Sequence, residues 1–210
     1  MTRIVIFGAG GKTGRTAAAE ASARGHHVTP LRSADADITD PQAVARAVLG
    51  HDVAIAAVAP AGADPRAFFQ AAAEGLVTGL QNAGVARLVW VGIASLLPDA
   101  SGVPALDTDD FPVEYRPFSL GHRTALETIK ASGLQWTAVS PAGDFAPATS
   151  SAGGYALTHI GDLTTRINRT DHARALVDIA ERANLVGEHL GVTPLSPDAG
   201  VSVAGRGGDR

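Results

Sequence analysis

A doubly wound α/β fold with a mostly parallel sheet, built as a single domain, is predicted by three observations. Short apolar runs of strand length alternate with helical patterns along the 210 residues. Those runs are apolar throughout, as in a parallel sheet covered on both faces. The first of them ends in a glycine-rich turn that opens a helix. A chain of this length, 45% apolar and 18% charged, suits one α/β domain with a large core.

Ile4 to Phe7 reads as the first strand, and the alanine-rich run Thr16 to Ala23 as the first helix. Arg24-Gly25 stops that helix, and His27 to Leu31 forms a second strand. Asp40-Pro41 caps a helix to about Leu49, because Asp accepts at the N-cap and Pro fits the first helical position. Val53 to Val58 is a third strand. Asp64-Pro65 repeats the cap before a long helix ending near Gly84, and Leu88 to Gly92 is a fourth strand. From Leu97 to about Pro117 the Pro, Gly and Asp content predicts a loop of some twenty residues serving a site. Helical periodicity runs from Leu120 to Ala131, and Trp136 to Ser140 is a strand ended by Pro141. Glycine-rich sequence fills 143–154. Asp171 is expected to cap a last helix to about Ala183, and His189 to Thr193 to form the final strand. The domain is expected over 1–194, with small loops on the substrate side, and a disordered tail over 195–210.

Composition excludes several classes of function. A formal charge of −4 opposes a nucleic-acid role, which needs a basic excess. Without cysteine there is no disulfide, thiolate metal site or cysteine nucleophile, and the scattered His and Asp show no metal spacing. No stretch approaches a membrane span, and a strand starting at Ile4 leaves no room for a signal peptide, so a cytoplasmic location is expected.

Strand, glycine turn and helix in that order bring backbone N–H groups and a helix dipole to one point, which suits a pyrophosphate. The glycines fall at Gly8, Gly11 and Gly14, with Gly10 extra. A phosphate loop for nucleoside triphosphates would need glycine where Ile6 stands. A dinucleotide-binding Rossmann fold is the expectation. After the second strand, Arg32 can pair with a ribose 2′-phosphate and Ser33 can add a hydroxyl. This favours NADPH, with NADH the other candidate and Asp35 the residue best placed to oppose the choice. Asp37 and Ile38 would lie against the adenine. Ligands bind beyond the carboxyl ends of such strands, so Gly8–Gly14, Arg32, Ala57–Pro60, Gly92–Leu97 and Pro141–Asp144 are candidates.

Catalytic residues are less clearly marked. The chain has two lysines, Lys12 and Lys130, and the residues four before them are Gly8 and Leu126. Neither Tyr115 nor Tyr155 therefore has the lysine that would activate it as a proton donor. Ser95, past the fourth strand, either polarises a substrate or caps a turn. His122 shares a helix face with Leu126 and Ile129 and is either structural or a cofactor contact. Tyr115, in the long loop, could cover the site.

The ordered set Ile6-Phe7-Gly8-Ala9-Gly10-Gly11-Lys12-Thr13-Gly14, Asp37-Ile38-Thr39-Asp40, Leu88 to Leu97, Asp110 to Pro117 and Ser132 to Pro141 resembles the atypical short-chain dehydrogenase/reductases. The likeness is to their small NAD(P)H-binding flavin-reductase and biliverdin-reductase-B-like branch, which is NmrA-like, and covers about residues 3–193. The resemblance implies that Gly8, Gly11, Lys12, Thr13 and Gly14 wrap the pyrophosphate and Arg32 holds a 2′-phosphate. It implies that Ala57 and Val58 line the nicotinamide ribose, and that Pro141, Ala142 and Gly143 pass under the nicotinamide. Ser95 and His122 match residues beside the cofactor. Gly143 stands where some relatives place a histidine, which speaks against a biliverdin-like substrate.

Three functions are weighed. The first is an NADPH-dependent oxidoreductase passing hydride to a planar acceptor such as a flavin or quinone, for which the protein supplies orientation and solvent the proton. The second is a non-catalytic redox sensor that binds NADP(H). The third, a sugar-nucleotide epimerase, is disfavoured by the missing proton relay. The expected partner is a small-molecule acceptor, with no nucleic acid or membrane, and the protein a monomer or homodimer.

Overall fold

Alternation along each strand divides its side chains between two cores. A computed structural model describes residues 1–147, 150, 152–182 and 184–195. Strand β1 (Arg3–Phe7) turns Ile4 and Ile6 to one face of the sheet and Val5 and Phe7 to the other. β3 (Val53–Ala56) and β4 (Arg87–Val91) repeat the pattern, with Val53, Ile55 and Val89 on the first face and Ala54, Ala56, Leu88 and Trp90 on the second. Helices α1 (Lys12–Ala23) and α5 (Arg169–Glu181) cover the first face. Helices α2 (Pro41–Val48), α3 (Pro65–Asn82) and α4 (Arg116–Lys130) cover the second. This is the doubly wound architecture expected.

The seven-stranded sheet has the order β2-β1-β3-β4-β5-β9-β7, where β2 is His27–Leu31, β5 Gln135–Pro141, β7 Tyr155–Thr158 and β9 Glu188–Pro194. Every pairing is parallel except β7 on β9. The chain leaves β1 for β2 on one side and returns through α2 to β3 on the other. The carboxyl ends of β1 and β3 therefore form a topological switch point, where Phe7 pairs with Leu31 and with Ala56. β2 is an edge strand, which is why it tolerates Pro30 and is only half-buried.

Three expectations need correction. The segment after Leu97 is not a structureless loop: it carries 3-10 turns at Ala105–Asp107 and Val113–Tyr115 and a bridge between Pro98 and Pro104. Helix α4 starts at Arg116 rather than Leu120, because Pro117 sits in the first turn, where its missing N–H costs nothing. The last helix is capped by Asn168, whose side chain accepts from the Thr170 N–H. Asp171 is instead buried, accepting the N–H groups of Gly153 and Gly154, and so ties the glycine run to the helix that follows. That anchorage delivers the antiparallel β7, while β6 (Asp144–Phe145) pairs with β8 (Arg166–Ile167) beyond β5. None of these three strands was expected. Of the expected tail, all beyond Leu195 lies outside the described residues. Among the described residues no helix is long and apolar enough to cross a membrane.

Candidate functional site: a two-part cleft over the switch point

The glycines of the first turn do different work. Gly8 has φ +80°, and a Cβ there would lie 2.1 Å from the Ala57 carbonyl oxygen at the end of β3. A Cβ on Gly14 would lie 2.3 Å from the Gly8 oxygen, so α1 packs directly on the turn. Gly10 has room, its nearest neighbour being Arg32 Cγ at 3.5 Å. Gly11 is the N-cap of α1 and offers no side chain to the first turn. The N–H groups of Lys12 and Thr13 consequently have no hydrogen-bond partner among the described residues. Arg15 donates to the Gly10 carbonyl oxygen at 2.8 Å and braces the loop from behind. Orphan donors at a helix N-terminus, faced by glycines that a side chain would fill, fit a pyrophosphate.

Two pockets meet at this turn. One, of about 310 Å³, runs from Gly8, Gly10 and Gly11 past Arg32 and Ser33 to Asp37 and Ile38. The other, of about 430 Å³, runs from Gly11, Lys12 and Thr13 past Gly92 to His122 and Pro141. Gly11, Ala57, Val58 and Ala59 line both, so the two form one cleft across the switch point. Its length and its glycine turn at the middle would suit an extended dinucleotide.

At one end of the cleft Arg32 is already paired. Its Nε and Nη2 donate to Asp35 at 3.0 and 3.1 Å, and the Asp35 carboxyl also takes the Arg32 backbone N–H. These bonds hold Asp35 down at about 2. Asp37 accepts from the Thr39 N–H and hydroxyl, which fixes the bend that buries Ile38.

His122 stands at the other end, 3% exposed, with its ring centroid 3.9 Å from that of Phe69 and 4.9 Å from that of Phe118. Burial, and then His189, pushes its pKa down to about 3, so the ring is neutral. Its Nδ1 has no hydrogen-bond partner among the described residues. The cleft is also lined by Phe145, held by the Arg169 guanidinium 3.9 Å over its ring and by a T-shaped contact with His172.

Of the expected site residues, Gly8, Gly10, Gly11, Lys12, Thr13, Arg32, Ser33, Asp37, Ile38, Ala57, Val58, Pro141 and His122 line the cleft. Four do not. Gly14 acts through packing. Ala142 is buried, donating its N–H to Val192 and accepting from Asp162. The Ser95 hydroxyl is buried against that of Ser119 at 3.0 Å, joining the turn after β4 to α4. Tyr115 is 61% exposed on the turn before α4, away from the cleft. Gly143 does line the cleft, and a Cβ there would strike the Thr165 and Asp162 carbonyl oxygens at 2.3 and 2.4 Å, so no histidine fits. Phe118 and Phe145 were missed. Phe118 was legible as the residue one turn before His122; Phe145 depends on the β6–β8 pairing, which leaves no local signal.

A glycine-turn cleft at the switch point of a parallel sheet defines a dinucleotide-binding protein. Residues 30–183 match the NAD(P)H-binding family. The chain is 31% identical over 168 residues to the uncharacterised protein YwnB of Bacillus subtilis, covering 73% of this chain and 78% of that one. It is 33% identical to a structure from Burkholderia pseudomallei, provisionally named an exported protein, at TM-score 0.79 over 92% of this chain and 100% of that one. SP1627 of Streptococcus pneumoniae, provisionally named an NADH-flavin reductase, is 28% identical at TM-score 0.80, over 93% of this chain and 100% of that one. The chain belongs to the NAD(P)H-binding family, among the atypical short-chain dehydrogenase/reductases. It has an NAD(P)H-binding, oxidoreductase-type fold.

Proposed function

We propose that the protein is an NADPH-dependent reductase acting on a planar acceptor of the flavin or quinone type. The observation that carries this reading is the make-up of the nicotinamide-side wall. Its ionisable side chains are Lys12 beside the glycine turn, the exposed Asp144, and a histidine held neutral. Tyr155 is committed to Asp178, remote from the cleft. Such a wall orients rings and excludes water without supplying a strong acid. Reduction of a flavin or quinone needs no more than that: the acceptor takes a hydride from the reduced nicotinamide and a proton from water.

Arg32 and Ser33 support NADPH over NADH. The Arg32 Nη1 has no partner among the described residues and is available to a 2′-phosphate. Phe118, His122 and Phe145 would bracket the nicotinamide, and Lys12 and the α1 N-terminus would hold the pyrophosphate. NADPH oxidation followed by its absorbance, with FMN, riboflavin, a benzoquinone and no acceptor, tests the reading. Acceptor-dependent oxidation is expected. Tight NADPH binding without turnover across the panel would instead identify a sensor.

A further inference from the structure

Beyond the cofactor cleft lies a pocket of about 640 Å³. Ala94 lines it and the nicotinamide-side pocket alike, so the two adjoin. Its apolar walls come from Leu97 and Phe111, both buried, and from Ile160 and Leu163, each left 48% exposed. The volume suits a small aromatic ring system, and half-exposed aliphatic side chains at its rim mark an apolar surface ready for one.

The side chains that line this pocket carry charge of one sign. Asp99, Asp110 and Asp162 line it, and among the described residues no Lys, Arg or His does. Asp99 accepts the Ser101 hydroxyl and the N–H groups of Ser101 and Val103, while Asp162 accepts from Thr164 and Thr165. These bonds hold both carboxyls below their usual range and ionised at neutral pH. Two guanidiniums stand close by and keep their charge, their hydrogen bonds going to carbonyl oxygens: Arg116 to those of Leu106 and Thr108, Arg166 to those of Leu163 and Thr165, so carboxylates outnumber cations here.

We propose that this pocket is the acceptor site and that it selects an uncharged planar acceptor, a quinone or a flavin without its phosphate. The inference rests on the reductase reading above and adds a specificity to it. A phosphorylated flavin would bring at least one further negative charge beside three carboxylates, with no cationic side chain among the lining residues and the two nearby guanidiniums already hydrogen-bonded. The acceptor leaves as the hydroquinone or dihydroflavin, having gained a hydride from the reduced nicotinamide and a proton from water, and the nicotinamide is left oxidised.

Riboflavin and FMN share one ring and differ in the phosphate, so they isolate the charge effect. At low ionic strength kcat/KM for riboflavin is expected to exceed that for FMN by about tenfold, narrowing as salt screens the carboxylates. Quenching of flavin fluorescence by the NADP+-loaded protein should rank the two in the same order without turnover. Asp110→Asn, at a carboxyl with no hydrogen bond among the described residues, should narrow the gap, and Leu163→Lys should narrow it further by raising FMN use. Equal use of both flavins, or a ratio that neither substitution moves, would overturn this proposal and leave the reductase reading intact. Failure of every acceptor to react or bind, with NADPH still bound, would overturn both.

Discussion

Arg32 lines the cleft while bound in two places to Asp35, so the proposed preference for NADPH would depend on a pair rather than on one residue. Arg32→Ala should weaken NADPH by about ten- to a hundredfold and leave NADH nearly unchanged, since a charge-assisted bond to the 2′-phosphate is lost only for NADPH. Asp35→Asn should act in the opposite sense, raising the NADPH preference by freeing the guanidinium and removing a like charge. Dissociation constants for both nucleotides, by calorimetry, check both expectations; equal losses for NADPH and NADH in Arg32→Ala would overturn the assignment. The glycines of the turn separate in the same way. Gly14→Ala forces a Cβ into the Gly8 carbonyl, so nucleotide binding and several degrees of Tm should be lost, whereas Gly10→Ala should be tolerated. Thermal melts with and without NADPH distinguish the two.

Helix α4 joins cofactor cleft to core. Phe118 and His122, one turn apart, face the cleft and pack on Phe69 of α3, while Ser119 reaches back to Ser95. His122→Phe keeps the ring packing and removes the polar atoms. It should lower kcat with little change in stability if the ring bonds cofactor or acceptor, which matched kinetics and urea midpoints would reveal. Ser95→Ala removes a buried hydroxyl pair and leaves Ser119 unpaired, so it should cost about 1 kcal/mol of stability with no selective effect on NADPH affinity. The start of this helix was hidden in the sequence because Pro117 reads as a loop residue, though a proline in the first turn is harmless. The antiparallel β7 was hidden for another reason: its four residues pair only because Asp171 anchors the glycine run before it, a contact 17 and 18 residues distant.

At the scale of the whole molecule two buried histidines, His122 and His172, and the half-buried His189 are expected to weaken the fold in acid. Burial pushes His122 down to about 3 and His172 and His189 down to about 4, from a value of 6.5. Their folded pKa values lie below the unfolded one, so the unfolded chain binds more protons between the two. The stability these rings contribute is expected to be full above about pH 6.5 and to fall as the pH drops toward 4, by up to about 1.4 kcal/mol per pH unit for each histidine. Urea midpoints across that range should decline steeply, and His172→Phe should make the decline shallower. Asp35 and Asp52, held at about 2, keep their stabilising contribution throughout this window and lose it only as the pH falls from 3.8 toward 2.

Residues 4–14 and the order of apolar runs after them determined the fold class, the cofactor class and most of the cleft wall, because those depend on local patterns: strand length, N-caps and glycine spacing. The sequence likewise marked Arg32 and Asp35 as the opposed pair. Only the tertiary structure decided that Ser95 bonds Ser119, that Gly14 and Ala142 act through packing and backbone bonds, and that Phe145 closes the cleft. It alone brought Asp99, Asp110 and Asp162 around one pocket. Those relations join residues far apart in the chain, and no periodicity within a single segment encodes a distance between segments.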